Sequence, residues 1–232
     1  KISNKIIAIP NYVDLQKKIK KILNESSLGC SKILLSDLAF KSGDSRESFN
    51  LLKTNFQNSN QFLDFAYQNK KIRNYDLAIE VYQYIIDEDY NSRITILAIL
   101  EMADAFEKKS INSKFDFPIS QYFYSNEILS PPYNYVENKS LGILNGAISL
   151  YDSLYSVSRG SDAGFKLAEI KFTILNDLDK ALDIYNDCIK YSKNNSIRFK
   201  SILRTIDVMI AKGDLKEAKK ILIDNVNKYK DS

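Results

Sequence analysis

Apolar residues recur along most of this chain at intervals of three and four positions, the spacing that places side chains on one face of an α-helix. Glycine (7) and proline (4) are scarce among the 232 residues, which argues against sandwiches and barrels, whose turns consume both. The pattern predicts an all-α fold. Helices are expected near 11–25, 30–42, 45–57, 60–73, 75–88, 92–109, 140–158, 162–175, 178–192, 196–212 and 214–229.

A five-residue pattern repeats along the chain: Ala, an aliphatic residue, a polar residue, an aliphatic residue and Tyr. It occurs at 78–82, 147–151 and 181–185, and more loosely at 48–52 and 218–222. The first positions of these segments differ by 30, 69, 34 and 37 residues. If the interval of 69 spans two units, the repeat length is about 34 residues.

The residues that precede this pattern also repeat. Gly43-Asp44 and Gly213-Asp214 open nearly identical turns, and Asn74 and Asn176-Asp177 open variants of that turn. Gly or Asn is expected to adopt the left-handed conformation that ends one helix. The Asp or Asn at these turns is expected to cap the next helix.

A large residue followed by a small one lies about twelve or thirteen positions upstream, on the first helix of each predicted hairpin. The pair is Phe65-Ala66 in one unit and Leu167-Ala168 in another, and Leu97-Ala98 is a third example. The small residue allows two helix backbones to approach closely.

These residues carry a resemblance to a known family. Leu167-Ala168-Glu169-Ile170, followed by 176–182 and Tyr185, resembles a tetratricopeptide repeat with one residue inserted before the turn. Phe62, Phe65, Ala66, Tyr75, Ala78 and Tyr82 resemble a second repeat. The resemblance covers roughly 30–109 and 140–230, and Ser45, Ser48 and Thr205-Ile206 depart from it.

The resemblance implies an α-solenoid of antiparallel helix hairpins, wound into a right-handed superhelix of about five units. We expect a single domain over 1–232, in which 1–28 form an N-terminal helix or the remnant of a preceding unit. Family members bind a peptide or a partner's helix on the concave face, which the first helix of each hairpin lines. The candidates here, all expected to be exposed on that face, are Tyr67, Asn69, Lys70, Glu101, Lys171 and Arg204.

Residues 110–136 interrupt the repeat and hold three of the four prolines. Pro118 and Pro131-Pro132 predict a short helix near 118–130. Aromatic residues are enriched at protein interfaces, so this insertion is predicted to bind a partner. The alternative is that its aromatic side chains fill the protein's own groove. They are Phe115, Phe117, Tyr122, Phe123, Tyr124, Tyr133 and Tyr135.

The residues that usually carry catalysis or bind metals are scarce. The chain has no His, and its two cysteines, Cys30 and Cys188, are far apart in sequence. It also lacks the Gly-rich phosphate loop with its Lys-Ser/Thr. We therefore predict no catalytic site, no cofactor and no metal site. Cys188 is expected in the core, as are Tyr82, Tyr151 and Tyr185 at helical spacing.

The charge is mixed, with 33 basic and 29 acidic side chains giving a net +4. The densest basic run is Lys17, Lys18, Lys20 and Lys21. It is interpreted as the solvated side of a helix whose apolar side carries Leu15, Ile19, Ile22 and Leu23. The alternative is a nucleic-acid or anionic-lipid patch; nucleic acid is not the expected partner. No apolar run is long enough to span a membrane.

These features predict a non-catalytic scaffold or adaptor that binds another protein or a peptide within a multiprotein assembly. The alternative is a regulatory or substrate-docking domain of a larger enzyme or sensor. The unit at 167–185 resembles repeats of bacterial envelope proteins, and the first residue, Lys1, is not an initiator Met. Both features favour a bacterial cell envelope or periplasm.

Overall fold

A computed structural model describes residues 13–26, 29–55, 59–88, 92–111 and 140–229. Within these residues the chain is all-helical, with eleven α-helices and no strand. In chain order they are α1 (Val13–Glu25), α2 (Gly29–Lys41), α3 (Ser45–Asn55), α4 (Ser59–Lys71), α5 (Tyr75–Asp87), α6 (Ser92–Ile111), α7 (Leu141–Val157), α8 (Asp162–Thr173), α9 (Leu178–Tyr191), α10 (Asn195–Ala211) and α11 (Leu215–Tyr229).

The helices lie where the apolar periodicity predicted them, within two residues at each end. Helix α6 continues to Ile111 rather than stopping at 109, so the first two residues of the predicted insertion are helical. The remainder of the insertion, including the helix expected near 118–130, lies outside the described residues.

The chain divides into two compact units, Lys1–Met102 and Ala103–Ser232. In the first unit α2 packs on α3 and α4 packs on α5. In the second, α8 packs on α9 and α10 on α11, while α7 contacts α8 and α9 contacts α10. This packing of successive antiparallel hairpins is that of an α-solenoid. The single domain predicted over 1–232 stays a prediction.

Small residues hold the two helices close together in three of the described hairpins. Ala66 and Ala78 are fully buried in the α4–α5 hairpin, and Ala168 and Ala181 are fully buried in the α8–α9 hairpin. In the α2–α3 hairpin Ser36 and Ser48 take the equivalent places. The Ser36 hydroxyl lies 2.9 Å from the Ser48 hydroxyl and donates to the Ser48 carbonyl over 3.1 Å. These serines therefore keep the small size of alanine and satisfy each other's polar groups.

The tyrosine stripe is in the core, as predicted. Tyr82, Tyr151 and Tyr185 are 1%, 0% and 0% exposed. The Tyr151 hydroxyl donates to Glu107 Oε2 over 2.9 Å, and the Tyr185 hydroxyl donates to Glu169 Oε1. A buried tyrosine needs a partner for its hydroxyl, and in the second unit that partner is a carboxylate on a helix packed beside it.

The helix-ending turns follow one hydrogen-bond pattern. After α2, Gly43 N–H donates to Phe40 O and Asp44 N–H donates to Ala39 O, with Gly43 at φ +92°. Gly213, with φ +82°, forms the same kind of turn at the end of α10. This is the Schellman arrangement, in which a residue with positive φ lets two backbone N–H groups reach the last carbonyls.

The variant turns are only partly as predicted. Asn176 has φ +51°, as expected. Asp177 N–H donates to Lys171 O, one residue farther back than in the other turns, which reflects the inserted residue. After α4, however, the prediction that Asn74 is left-handed is wrong, because Arg73 has φ +64° and Asn74 has φ −82°.

Helix α1 carries the basic run. Lys17, Lys18 and Lys21 are exposed, and Lys20 lies 3.8 Å from Glu47. Ile22, assigned to the apolar side of this helix, is 66% exposed, so that side is incompletely covered in the described residues. Among the described helices, none has the length and apolar character needed to cross a membrane.

Candidate functional site

Helix α4 has two faces with different roles. Phe62, Phe65 and Ala66 are 0%, 8% and 0% exposed and pack into the hairpin core. Asn60, Asp64 and Tyr67 recur at intervals of three and four residues, so they form a stripe on another face. Tyr67 is 52% exposed, a large fraction for an aromatic side chain. The same helix therefore anchors the fold and presents a surface.

A groove of about 300 Å³ lies between α4 and α6 in the first unit. We call it the α4–α6 groove. Tyr82 of α5 contributes to its lining, and exposed Tyr67 of α4 and Leu97 of α6 also line it. The full lining is Asn60, Leu63, Asp64, Tyr67, Tyr82, Leu97 and Glu101.

An ion pair lies at the edge of this groove. The Lys70 ammonium of α4 donates to Glu101 Oε2 of α6, and it also lies 5.7 Å from the centre of the Tyr67 ring. Lys70 is 8% exposed, whereas the Glu101 side chain is 29% exposed. The pair ties α4 to α6, and the cation beside the ring adds a cation–π contact that restrains Tyr67.

A second groove, of about 220 Å³, lies on the other side of α4, towards α2 and α3. We call it the α2–α4 groove. Asp64 lines both grooves, so α4 forms the ridge between them. Within the lining of the α2–α4 groove, the Phe40 and Phe65 rings meet edge to face, with their centres 5.6 Å apart. The full lining is Ile33, Ser36, Asp37, Phe40, Ser48, Leu52, Gln61, Asp64, Phe65 and Gln68.

The charged side chains in the described lining of the two grooves are all acidic, although the chain carries a net charge of +4. Their described lining includes the carboxylates of Asp37, Asp64 and Glu101 and no Lys or Arg. Glu101 is paired with Lys70. Asp64 is exposed and forms no ion pair or hydrogen bond with any described residue. Its negative charge is therefore available at the ridge between two partly apolar grooves.

Of the six concave-face candidates, the structure brings three together at this site: Tyr67, Lys70 and Glu101. The expectation that Asn69 and Lys70 are exposed is wrong. Asn69 is 0% exposed because its amide donates to Phe65 O over 2.9 Å and its side-chain oxygen accepts from Asn74. Lys70 is covered because its ammonium reaches across to Glu101.

The other sequence-predicted residues lie elsewhere. Lys171 and Arg204 belong to the second unit, where both are half-buried. The seven aromatic candidates of the insertion lie outside the described residues: Phe115, Phe117, Tyr122, Phe123, Tyr124, Tyr133 and Tyr135.

Sequence reasoning missed Asp64 and Leu97 as groove residues. Leu97 was expected to pack like Phe65 and Leu167, but it is 43% exposed, while its neighbour Ala98 is fully buried. The helical spacing of Asn60, Asp64 and Tyr67, opposite the apolar face of α4, is the signal that identifies the stripe.

The second unit contains a network of hydrogen-bonded polar side chains. Arg204 holds Glu169 with two hydrogen bonds of 2.9 Å and contacts Asp207 over 3.1 Å. Burial, followed by the negative charge of Glu169, raises the pKa of Tyr185 well above its usual value. Burial lowers the pKa of Arg204, but the Glu169 and Asp207 carboxylates outweigh it and the pKa rises. The network thus favours a neutral Tyr185 phenol and a charged Arg204 guanidinium, and its hydrogen bonds link α8, α9 and α10.

With this geometry established, comparisons with known proteins identify the fold. A family model described as Tetratricopeptide repeat matches residues 162–195, the segment of α8 and α9. Residues 162–195 thus match one tetratricopeptide repeat. It is the unit whose residues 167–185 showed the resemblance in the sequence, and its one-residue insertion lies in the Asn176 turn. A comparison with curated proteins finds no match.

Among solved structures, the chain is similar to the apo form of the quorum sensor NprR from B. thuringiensis, with a TM-score of 0.56 and 14% identity. The match covers 100% of this chain and 64% of the NprR chain. At this identity the likeness concerns the fold. Together with the repeat at 162–195 it confirms the predicted tetratricopeptide-like helical-repeat fold. Repeats of this type are protein-interaction modules.

Proposed function

We propose that this tetratricopeptide-like protein is a non-catalytic interaction module whose first unit binds a segment of another protein in the α4–α6 groove. The observation that carries the proposal is the exposure of Tyr67 (52%) and Leu97 (43%) on opposite sides of one groove. Large side chains exposed in a concave site offer apolar contact area to a partner. Tyrosine is also among the residues that contribute most to binding energy at interfaces.

The Lys70–Glu101 ion pair at the rim holds the two walls of the groove in a fixed arrangement. Lys70 joins α4 to α6 through Glu101 and restrains the Tyr67 ring, so the two walls are positioned before a partner arrives. A preorganised site loses less conformational entropy on binding than a mobile one.

The test is a selection of random 12-residue peptides displayed on phage against the immobilised chain. The selected peptides are then measured by fluorescence anisotropy against a Tyr67→Ala/Leu97→Ala double variant. We expect binding to fall at least tenfold. The matched control is Tyr191→Ala/Leu203→Ala, which removes side chains of similar exposure (47% and 43%) from the second unit. If both double variants bind like the parent, the groove is not the site.

A regulatory domain of a larger sensor is the alternative. It is favoured by the likeness to NprR, which is a quorum sensor and of which this chain spans 64%. The two functions differ in what binding does: a scaffold holds a partner, whereas a regulatory domain changes the activity of an attached domain. The bacterial cell envelope or periplasm stays a prediction from the sequence.

The aromatic insertion is a second candidate contact, proposed from its sequence. Its test is an affinity pull-down from the native organism with the parent chain and with a variant in which Tyr122, Phe123 and Tyr124 are replaced by Ser. A partner that is lost only by this variant supports the insertion as the contact. A partner lost instead by Tyr67→Ala/Leu97→Ala supports the groove.

A further inference from the structure

The two grooves and the ridge between them specify the chemistry of their occupant. Of the carboxylates in their described lining, Glu101 is paired with Lys70. Asp64 lines both grooves, is exposed, and forms no ion pair or hydrogen bond with any described residue. Its charge on the ridge favours a partner that is basic at the point of contact.

Apolar side chains of the two grooves lie on both sides of the Asp64 carboxylate. Tyr67 and Leu97 lie in the α4–α6 groove, and Ile33, which is 38% exposed, lies with Phe40 in the α2–α4 groove. A ligand that lies across α4 therefore meets an apolar groove, then a carboxylate, and then a second apolar groove.

The polar side chains of the grooves match an extended chain better than a helix, because a helix bonds its own backbone N–H and C=O groups internally. The grooves measure about 300 and 220 Å³, room for single side chains. Side-chain amides of Asn60, Gln61 and Gln68 line them, and an amide matches the exposed N–H and C=O groups of an extended peptide.

We propose that the occupant is an extended peptide segment with a lysine or arginine between two apolar residues, the basic side chain binding Asp64 and each apolar side chain entering one groove. This inference rests on the proposed function of the first unit. Because alternate residues of an extended chain point to the same side, the three side chains are expected at positions i, i+2 and i+4.

The test compares two peptide selections, one against the parent and one against Asp64→Lys. We expect the parent to enrich Lys or Arg between two apolar residues and the variant to enrich Asp or Glu at the same position. In fluorescence anisotropy the best parent peptide should bind Asp64→Lys at least tenfold more weakly. Replacing its basic residue with Glu should restore binding to Asp64→Lys and weaken binding to the parent.

The matched control is Asp183→Lys, which makes the same charge change at an exposed position of α9 in the second unit. Its affinity should stay within twofold of the parent. Peptides that require Tyr67 and Leu97 but bind Asp64→Lys as tightly as the parent would overturn this inference and leave the proposed function intact. Peptides indifferent to all three residues would overturn both.

Discussion

Arg204 of α10 and Glu169 of α8, 35 residues apart, form a two-pronged ion pair in which Nε and Nη2 of the guanidinium each lie 2.9 Å from a carboxylate oxygen. The Tyr185 hydroxyl donates to the same carboxylate. Three helices of the second unit therefore meet at one acid. Removing one partner of a partly buried pair is costly, because the remaining charge is left without its partner.

Replacement of Arg204 by Ala is expected to lower the free energy of unfolding by about 1–3 kcal/mol, because Glu169 then loses both charged hydrogen bonds. Arg46→Ala is the matched control. Arg46 also contacts both oxygens of a carboxylate, that of Glu80, at 2.6 and 2.5 Å, but the two side chains are 59% and 46% exposed. Its loss should cost under about 1 kcal/mol. Urea unfolding of both variants measures the difference, and equal losses would contradict the assigned importance of the Glu169 network.

The stability of the second unit should depend on pH through Glu107. Burial, the largest effect, raises the pKa of its carboxyl above the ordinary 4.5, although Lys166 and the Tyr151 hydroxyl oppose this. Between 4.5 and the raised pKa the folded chain holds more protons than the unfolded chain. The contribution of Glu107 to stability therefore falls as pH rises through that window.

Glu107→Gln removes this dependence. The free energy of unfolding of the variant, minus that of the parent, should increase as pH rises from about 4.5, the ordinary value. Urea titrations at successive pH values measure this difference. Glu88→Gln, the same change at an exposed position, serves as the control. A flat difference for Glu107→Gln would show that the contacts with Lys166 and Tyr151 cancel the effect of burial.

Gly160 allows the turn after α7 to lie against the end of α9. A methyl group on Gly160 would lie 2.3 Å from Ser192 N and 2.4 Å from the Tyr191 carbonyl carbon, both backbone atoms. Gly160→Ala is expected to destabilise the chain by about 1–3 kcal/mol through overpacking. Gly142→Ala, on helix α7 with nothing within 4 Å, should stabilise it by about 0.5–1 kcal/mol. Thermal unfolding followed by circular dichroism should shift in opposite directions for the two variants.

The two cysteines should differ in reactivity. Cys188 is buried, and burial raises the pKa of its thiol to about 11, while its sulfur lies 3.7 Å from the Arg159 carbonyl oxygen. Cys30 is exposed. Iodoacetamide at pH 8 should modify one thiol of the native chain, and Cys30→Ser should abolish that modification, as read by mass spectrometry. Rapid labelling of Cys188 in Cys30→Ser would mean that the α8–α9 hairpin opens readily.

Much of this fold was predictable because its signals are local. Helix positions follow from apolar residues at intervals of three and four, and the turns follow from Gly43 and Gly213. The burial of Tyr82, Tyr151 and Tyr185 follows from their place beside the small residues that bring two helices together. Each of these features depends on residues within one hairpin, so a single sequence contains it.

The candidate site depends on contacts between hairpins, and these the sequence left open. Asn69 and Lys70 appeared equivalent to Tyr67 on α4, yet Asn69 turns to its own helix end and Lys70 reaches Glu101, 31 residues later. The left-handed residue after α4 is Arg73 rather than Asn74 because the hydrogen bonds to Lys70 O and Asn69 O fix where that helix stops.

The sequence by itself determined a repeat of about 34 residues, its helices and its buried tyrosines, because periodicity fixes which side of each helix is apolar. Only the tertiary structure decided that Asp64 and Leu97 line a groove. The exposure of a helix's outer face depends on the distance and rotation of the next helix, and these arise from side-chain packing between elements far apart in the chain.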